Sequence, residues 1–197
     1  MVRSANGREL YAVATLNGRE TLFAVADVTD FTVTFRNPVM LCDIVLVTLA
    51  SSPSVSAHVY AISKGQGLFE INPENVNLTT QPIYPFAAVG HLVVHDASGN
   101  AFATVSTGGT AETYETVVRL NLRTITNPAN PPAFAVAAQD ATGAIIFTSG
   151  EDDIALTSQA NPSLYIASVL ASTNTNKQVG VYNALAPNGS TTPSAFV

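Results

Sequence analysis

Short apolar runs punctuated by turn residues dominate this chain, and no stretch repeats its apolar residues at helical spacing for more than a few turns. About a dozen segments read as strands, so the sequence predicts an all-β protein, either an antiparallel β-sandwich or a jelly-roll-like barrel. At 197 residues the chain suits a single domain over 1–197, long enough to bury a sizeable core without staples. Asn127-Pro128-Ala129-Asn130-Pro131-Pro132 is the candidate linker or crossover, which marks 126–132 as the place for a subdomain break. A polar C-terminal arm runs over about 187–197.

The clearest local signal lies between Glu9 and Val28. Leu-Tyr-Ala-Val-Ala-Thr and Thr-Leu-Phe-Ala-Val-Ala flank Leu16-Asn17-Gly18-Arg19, and Asn-Gly readily takes the positive φ of a type I′ turn, so a β-hairpin is expected. Phe31 to Arg36 alternates, which predicts Phe31, Val33 and Phe35 on a core face and Thr32, Thr34 and Arg36 on a wet one. Val39 to Leu49 is apolar on both faces except at Asp43 and Thr48 and reads as one central strand covered on both sides. Alternation returns at Ser54 to Ile62, Lys64-Gly65-Gln66-Gly67 turns the chain into Leu68 to Ile71, and Asn72 to Pro85 reads as a long loop.

Val94-His95-Asp96-Ala97-Ser98-Gly99 and Ala138-Gln139-Asp140-Ala141-Thr142-Gly143 share a turn chemistry. Asp accepts the backbone hydrogen bonds that open a type I turn, and Gly takes the left-handed position that closes it. The residues between the two segments do not match, so recurrent turn chemistry explains the likeness better than duplication. Thr113 to Leu122, Ser163 to Ala171 and Val179 to Ala184 complete the strands.

Charge is the second constraint. Asp, Glu, Lys and Arg make up 11% of the chain, against a usual quarter. A compact monomer of this mass exposes about 8,900 Å², or roughly 400 Å² for each charged side chain. The deficit is uneven: Met1 to Arg36 holds eight charged side chains, whereas Ile154 to Val197 holds only Lys177. One end is expected to be solvated and the other to be interface. A net charge of −6 with scattered basic residues provides no phosphate-tracking stripe, which disfavours direct nucleic-acid binding. The longest apolar stretch, Val39 to Ala50, is too short for a membrane helix, and the N-terminal residues lack the apolar core of a secretory signal. Cys42 stands alone, excludes an internal disulfide, and reads as a small buried residue.

No segment carries a motif that assigns a reaction. His91 and His95, four apart on a strand, lie about 13 Å from each other and cannot chelate one ion. They and His58 are expected to be ordinary, partly exposed histidines. Glu151-Asp152-Asp153 could take a hard cation, yet lacks the alternating ligands and glycine of a calcium loop, so a solvated loop is expected. No Gly-x-Ser-x-Gly elbow surrounds a serine, and Gly65-Gln66-Gly67 and Gly108-Gly109 do not precede helices as phosphate loops do. Without Trp, sugar stacking would fall to Tyr60, Tyr84, Tyr114, Tyr165 and Tyr182, whose strand placement favours core or cross-strand pairing.

In composition and strand pattern over its whole length the chain resembles structural proteins of virus particles, particularly bacteriophage head-decoration, capsid and tail proteins. That resemblance implies a non-enzymatic assembly subunit without cofactor or metal. Its partners would be copies of itself and other structural subunits rather than nucleic acid or membrane, and it would reach the virion after synthesis in the host cytoplasm. Charge depletion at interface cores fits such a role. Tyr165, Tyr182, Phe196 and Val197, in the charge-poor quarter, are the expected assembly contacts, with the arm adding a strand to an adjacent copy. The alternative is a glycan- or receptor-binding sandwich of a fibre or surface appendage, which requires a concave patch lined by Tyr and Asn. A hydrolase with a dispersed triad is the remaining rival.

Overall fold

The computed structural model describes residues 1–4, 7–17, 20–29, 32–36, 39–42, 44–74, 82–86, 88–106, 115–125, 138–139, 145–147, 154–170, 177–185 and 195–196. As expected, the protein is all-β, built of antiparallel sheets, with no helix among the described residues. The chain divides into two compact units, Met1–Leu92 and Val93–Val197. The segment 126–132 lies outside the described residues.

In the first unit, β1 (Val2–Arg3), β2 (Glu9–Leu16), β3 (Glu20–Thr29) and β4 (Thr32–Phe35) form one sheet in that order. β5 (Val39–Cys42) follows β4 along the same side of β3, pairing Phe23 with Val39 and Glu20 with Cys42. The second sheet runs β6 (Leu46–Ser51), β7 (Val59–Ser63), β8 (Gly67–Ile71) and β9 (Tyr84–Pro85). Tyr11, Phe23, Val25 and Leu41 of the first sheet share one core with Leu46, Leu49, Val59, Phe69 and Ile71 of the second, which is sandwich packing.

The expected β2–β3 hairpin forms, and Asn17 takes the left-handed φ of 52°. A type I′ turn holds two residues between its paired ends, but Leu16 pairs with Glu20 and three residues intervene. Parity explains the shift. With Tyr11 opposite Val25 and Val13 opposite Phe23, all four bulky residues fall on one face, whereas closing one residue earlier would divide them between core and solvent. The rings of Tyr11 and Phe23 then stack diagonally at 6.3 Å.

Three expectations are corrected here. Val33 is 50% exposed rather than core, because β4 is a short strand at the sheet's margin. The run 39–49 is two strands in different sheets, joined where buried Thr21 catches the chain. Its hydroxyl donates to the Ile44 carbonyl at 2.8 Å and accepts from the Leu46 N–H at 2.9 Å, replacing ladder bonds at the crossing. The strand covered on both faces is instead β7, every residue of which is buried. Lys64-Gly65-Gln66 forms the expected turn, and Gly67, at φ 126°, admits the Tyr84 carbonyl to within 2.2 Å of where a Cβ would sit.

The division between units falls within β10 (Ala88–His95), which forms a sheet with β11 (Asn100–Ser106) and β12 (Glu115–Asn121). The other sheet of the second unit comprises β13 (Ala138–Gln139), β14 (Ile145–Phe147), β15 (Ile154–Leu156), β16 (Ser163–Leu170), β17 (Lys177–Asn183) and β18 (Ala195–Phe196), in the order β13-β14-β16-β17-β18 with β15 on β16. Phe102 and Val117 pack with Ile154, Leu164, Ile166 and Tyr182 in a second core. Gly99 closes the turn after β10 in the left-handed region at φ 70°, as its sequence predicts, and donates its N–H to the His95 carbonyl. β13 and β14 pair antiparallel around the second Asp-Ala-Thr-Gly segment, which itself lies outside the described residues.

Candidate functional site

A cleft of about 430 Å³ opens in the first unit, lined by Ser4, Glu9, Tyr11, Ala57, His58, Asn72, Pro73 and Glu74. β2 delivers Glu9 and Tyr11 to the same side because they are two residues apart on a strand. The Tyr11 hydroxyl donates to Glu9 Oε2 at 2.7 Å. Burial, and then this bond to an anion, push the Tyr11 phenol well above its ordinary range. Asn72 Oδ1 accepts the Glu74 N–H at 3.0 Å and sets the rim. His58 faces Glu70 through Nδ1 at 3.1 Å.

Arg36 holds this end of the sandwich. Its guanidinium grips Asp27 through two bonds, Nε to Oδ2 at 3.1 Å and a terminal nitrogen to Oδ1 at 2.7 Å, and the same nitrogen bonds Glu9 Oε1. Glu74 Oε1 lies 3.7 Å from the other terminal nitrogen. The bond from Arg36 holds the Asp27 carboxyl below its ordinary value, and Asp27 in turn raises the guanidinium further. Glu9, with its side chain 12% exposed, is satisfied on both oxygens. Glu74 at the rim is mostly exposed and offers acceptor oxygens to a ligand.

The sequence treated Glu9 as a strand start and Arg36 as a solvated residue, and it singled out neither Tyr11 nor Glu74. The concentration of eight charges before residue 37 was the signal for this network. Among the described residues no group of three or more His, Cys, Asp or Glu side chains is placed to hold a metal ion. Glu151, Asp152 and Asp153 lie outside the described residues.

Three of the expected assembly contacts, Tyr165, Tyr182 and Phe196, lie on neighbouring strands of one sheet, β16, β17 and β18, but in different surroundings. Tyr182 is 3% exposed and belongs to the second core, so its ring is packing within the chain rather than a surface offered to a neighbour. The ring lies back over Gly180, within 2.6 Å of where a Cβ would sit, and its buried hydroxyl has no hydrogen-bond partner among the described residues. Burial pushes that phenol up to about 12. Tyr165 is half-buried on the opposite face from Leu164 and Ile166, paired with Ala155 and Val181. Phe196 pairs through its backbone with Gly180, and Val197 lies outside the described residues. Tyr60 is core, Tyr84 tilts against Phe86 at 5.9 Å, and Tyr114 and Gly108-Gly109 lie outside the described residues. Cys42 pairs with Glu20 in β5.

The histidines divide. His58 and His91 are partly exposed, whereas His95 is buried at 4% exposure, contrary to expectation. Its Nε2 donates to the Gln159 carbonyl at 3.0 Å, which leaves Nδ1 to accept from Ser98 Oγ at 2.9 Å. Ser98 Oγ also receives the Asn100 N–H at 3.2 Å, so this serine and histidine fasten the turn after β10 to the segment before β16. The sequence matches no family model and no curated protein.

Proposed function

We propose that the protein is a structural assembly subunit acting through contacts with its own copies, and that its destination is a virion, as a bacteriophage head-decoration, capsid or tail component. The observation that carries this reading is the margin of the first unit's sheet. β4 and β5 lie end to end along β3, with Val33 50% and Met40 44% exposed. Soluble proteins commonly guard such margins with lysines or other charges. Residues 31–42 contain no lysine and one charged side chain, Arg36, already engaged by Asp27 and Glu9. Among the described residues no helix is long and apolar enough to cross a membrane.

Mass photometry at micromolar concentration tests the reading. The native chain should form closed oligomers or lattices, and Val33→Lys with Met40→Lys should reduce them to monomers with an unchanged circular dichroism spectrum. A monomeric native chain overturns it. The cleft favours a second reading, a glycan-binding module, through Asn72 and the exposed Glu74 at its rim, while Tyr11, 3% exposed with its ring in the core, gives it no stacking face. Saturable binding on a glycan array, lost in Glu74→Gln, would move the assignment there.

A further inference from the structure

We infer that in the assembled particle the last strand is exchanged between subunits, so that Ala195–Phe196 of one copy pairs with β17 of a second copy of this chain. This rests on the assembly reading and names one of its contacts. Within a single chain β18 already pairs antiparallel with β17, Phe196 opposite Gly180 and Ala195 opposite Val181. The acceptor is therefore a defined register on β17, whose Gly180 and Val181 are paired on this side among the described residues. Among the described residues β18 is the last strand of its sheet and pairs with β17 alone.

An exchanged arm makes the same backbone bonds as a retained one, so the choice turns on reach and on the surroundings rather than on new contacts. The twelve Cα–Cα steps from Asn183 to Ala195 can span about 40 Å when extended. Closing so long a connection onto its own edge is only weakly favoured over reaching a neighbour, because the closure term varies slowly with length and packed neighbours present a comparable local concentration. Composition removes the usual opposition, since residues 178–197 contain no charged side chain. Neither the strand delivered nor the edge beyond Lys177 carries the like charges that normally discourage strand addition. Gly180, the residue opposite Phe196 in this register, has no room for a side chain because Tyr182 occupies the space where its Cβ would be.

The test uses directly paired positions in a Cys42→Ser background, since residues opposite each other in an antiparallel ladder stand close enough for a disulfide. The full chain is prepared with Val181→Cys and Ala195→Cys together, and as the two single variants co-assembled. Each sample is oxidised after assembly and resolved on a denaturing, non-reducing gel. Exchange predicts dimers and a ladder from the double variant, and a covalent dimer of one Val181→Cys chain with one Ala195→Cys chain in the mixture. A double variant that cross-links only within its own chain, in particles that still form, overturns the exchange and leaves the assembly reading standing. Absence of a cross-link in both samples overturns the β17–β18 contact itself. A monomeric native chain by mass photometry overturns the assembly reading, and the exchange with it.

Discussion

The two units solve the same packing problem with different chemistry. Each places one sheet against another across an aliphatic and aromatic core, and each has a long strand, β3 or β16, that carries two short strands end to end along one side. In the first unit an arginine gathers three carboxylates where the sheets meet loops. In the second the described fastenings are a buried histidine between a serine and a carbonyl, and a tyrosine folded over a glycine. Similar sandwiches can thus be closed by an ion-pair network or by hydrogen bonds and ring packing, and the first should respond more to salt.

The largest test of that contrast removes a core ring from each side. Phe23→Ala and Phe102→Ala should each cost about 3–5 kcal/mol, since both rings are fully buried. Calorimetry should show two transitions, each substitution lowering its own, whereas one shared transition displaced by either would break the comparison. Next in size is Thr21→Val. It keeps the shape but strands a buried carbonyl and a buried N–H, at a cost of about 1–3 kcal/mol by chemical denaturation.

Tyr182 sharpens the view of the second unit. Because its buried hydroxyl has no partner among the described residues, Tyr182→Phe should leave stability equal or higher by about 1 kcal/mol, whereas Gly180→Ala should lower it by about 1–3 kcal/mol through collision with the ring. Alkaline titration should weaken both units. Tyr60 and Tyr182 are pushed up to about 12 from 10.0 by burial, so their contribution is complete below pH 10 and is lost as pH rises to about 12. Tyr182→Phe should flatten that loss in the second transition only.

The smallest effect belongs to the ionic clamp. Arg36→Ala should destabilise the first unit by about 1 kcal/mol at low salt and less at high salt. Asp27 titrates below its ordinary 3.8 when folded, so the stability it adds is present above that value and disappears as pH falls through the lowered one. Asp27's share of the acid response should therefore appear in the first transition and vanish in Arg36→Ala.

Much of the local structure was legible before any coordinates. The hairpin at Asn17, the turn at Lys64 to Gln66 and the left-handed Gly99 all follow from residues that tolerate or require those backbone angles. The candidate site was not. Arg36 meets Glu9 across 27 residues and Glu74 lies farther along the chain, and no spacing rule connects them. Val33 misled for a related reason: alternation assigns residues to faces but is silent about which face another sheet will cover.

Sequence alone determined the all-β class, the positions of the turns and the drift from a charged beginning to an uncharged end, because those properties depend on residues within two or three of one another. Tertiary structure decided the hairpin register, the splitting of 39–49 between two sheets, the burial of His95 and the company kept by Arg36. Each of these depends on which distant surface arrives to exclude water, and that competition is resolved only when the sheets pack.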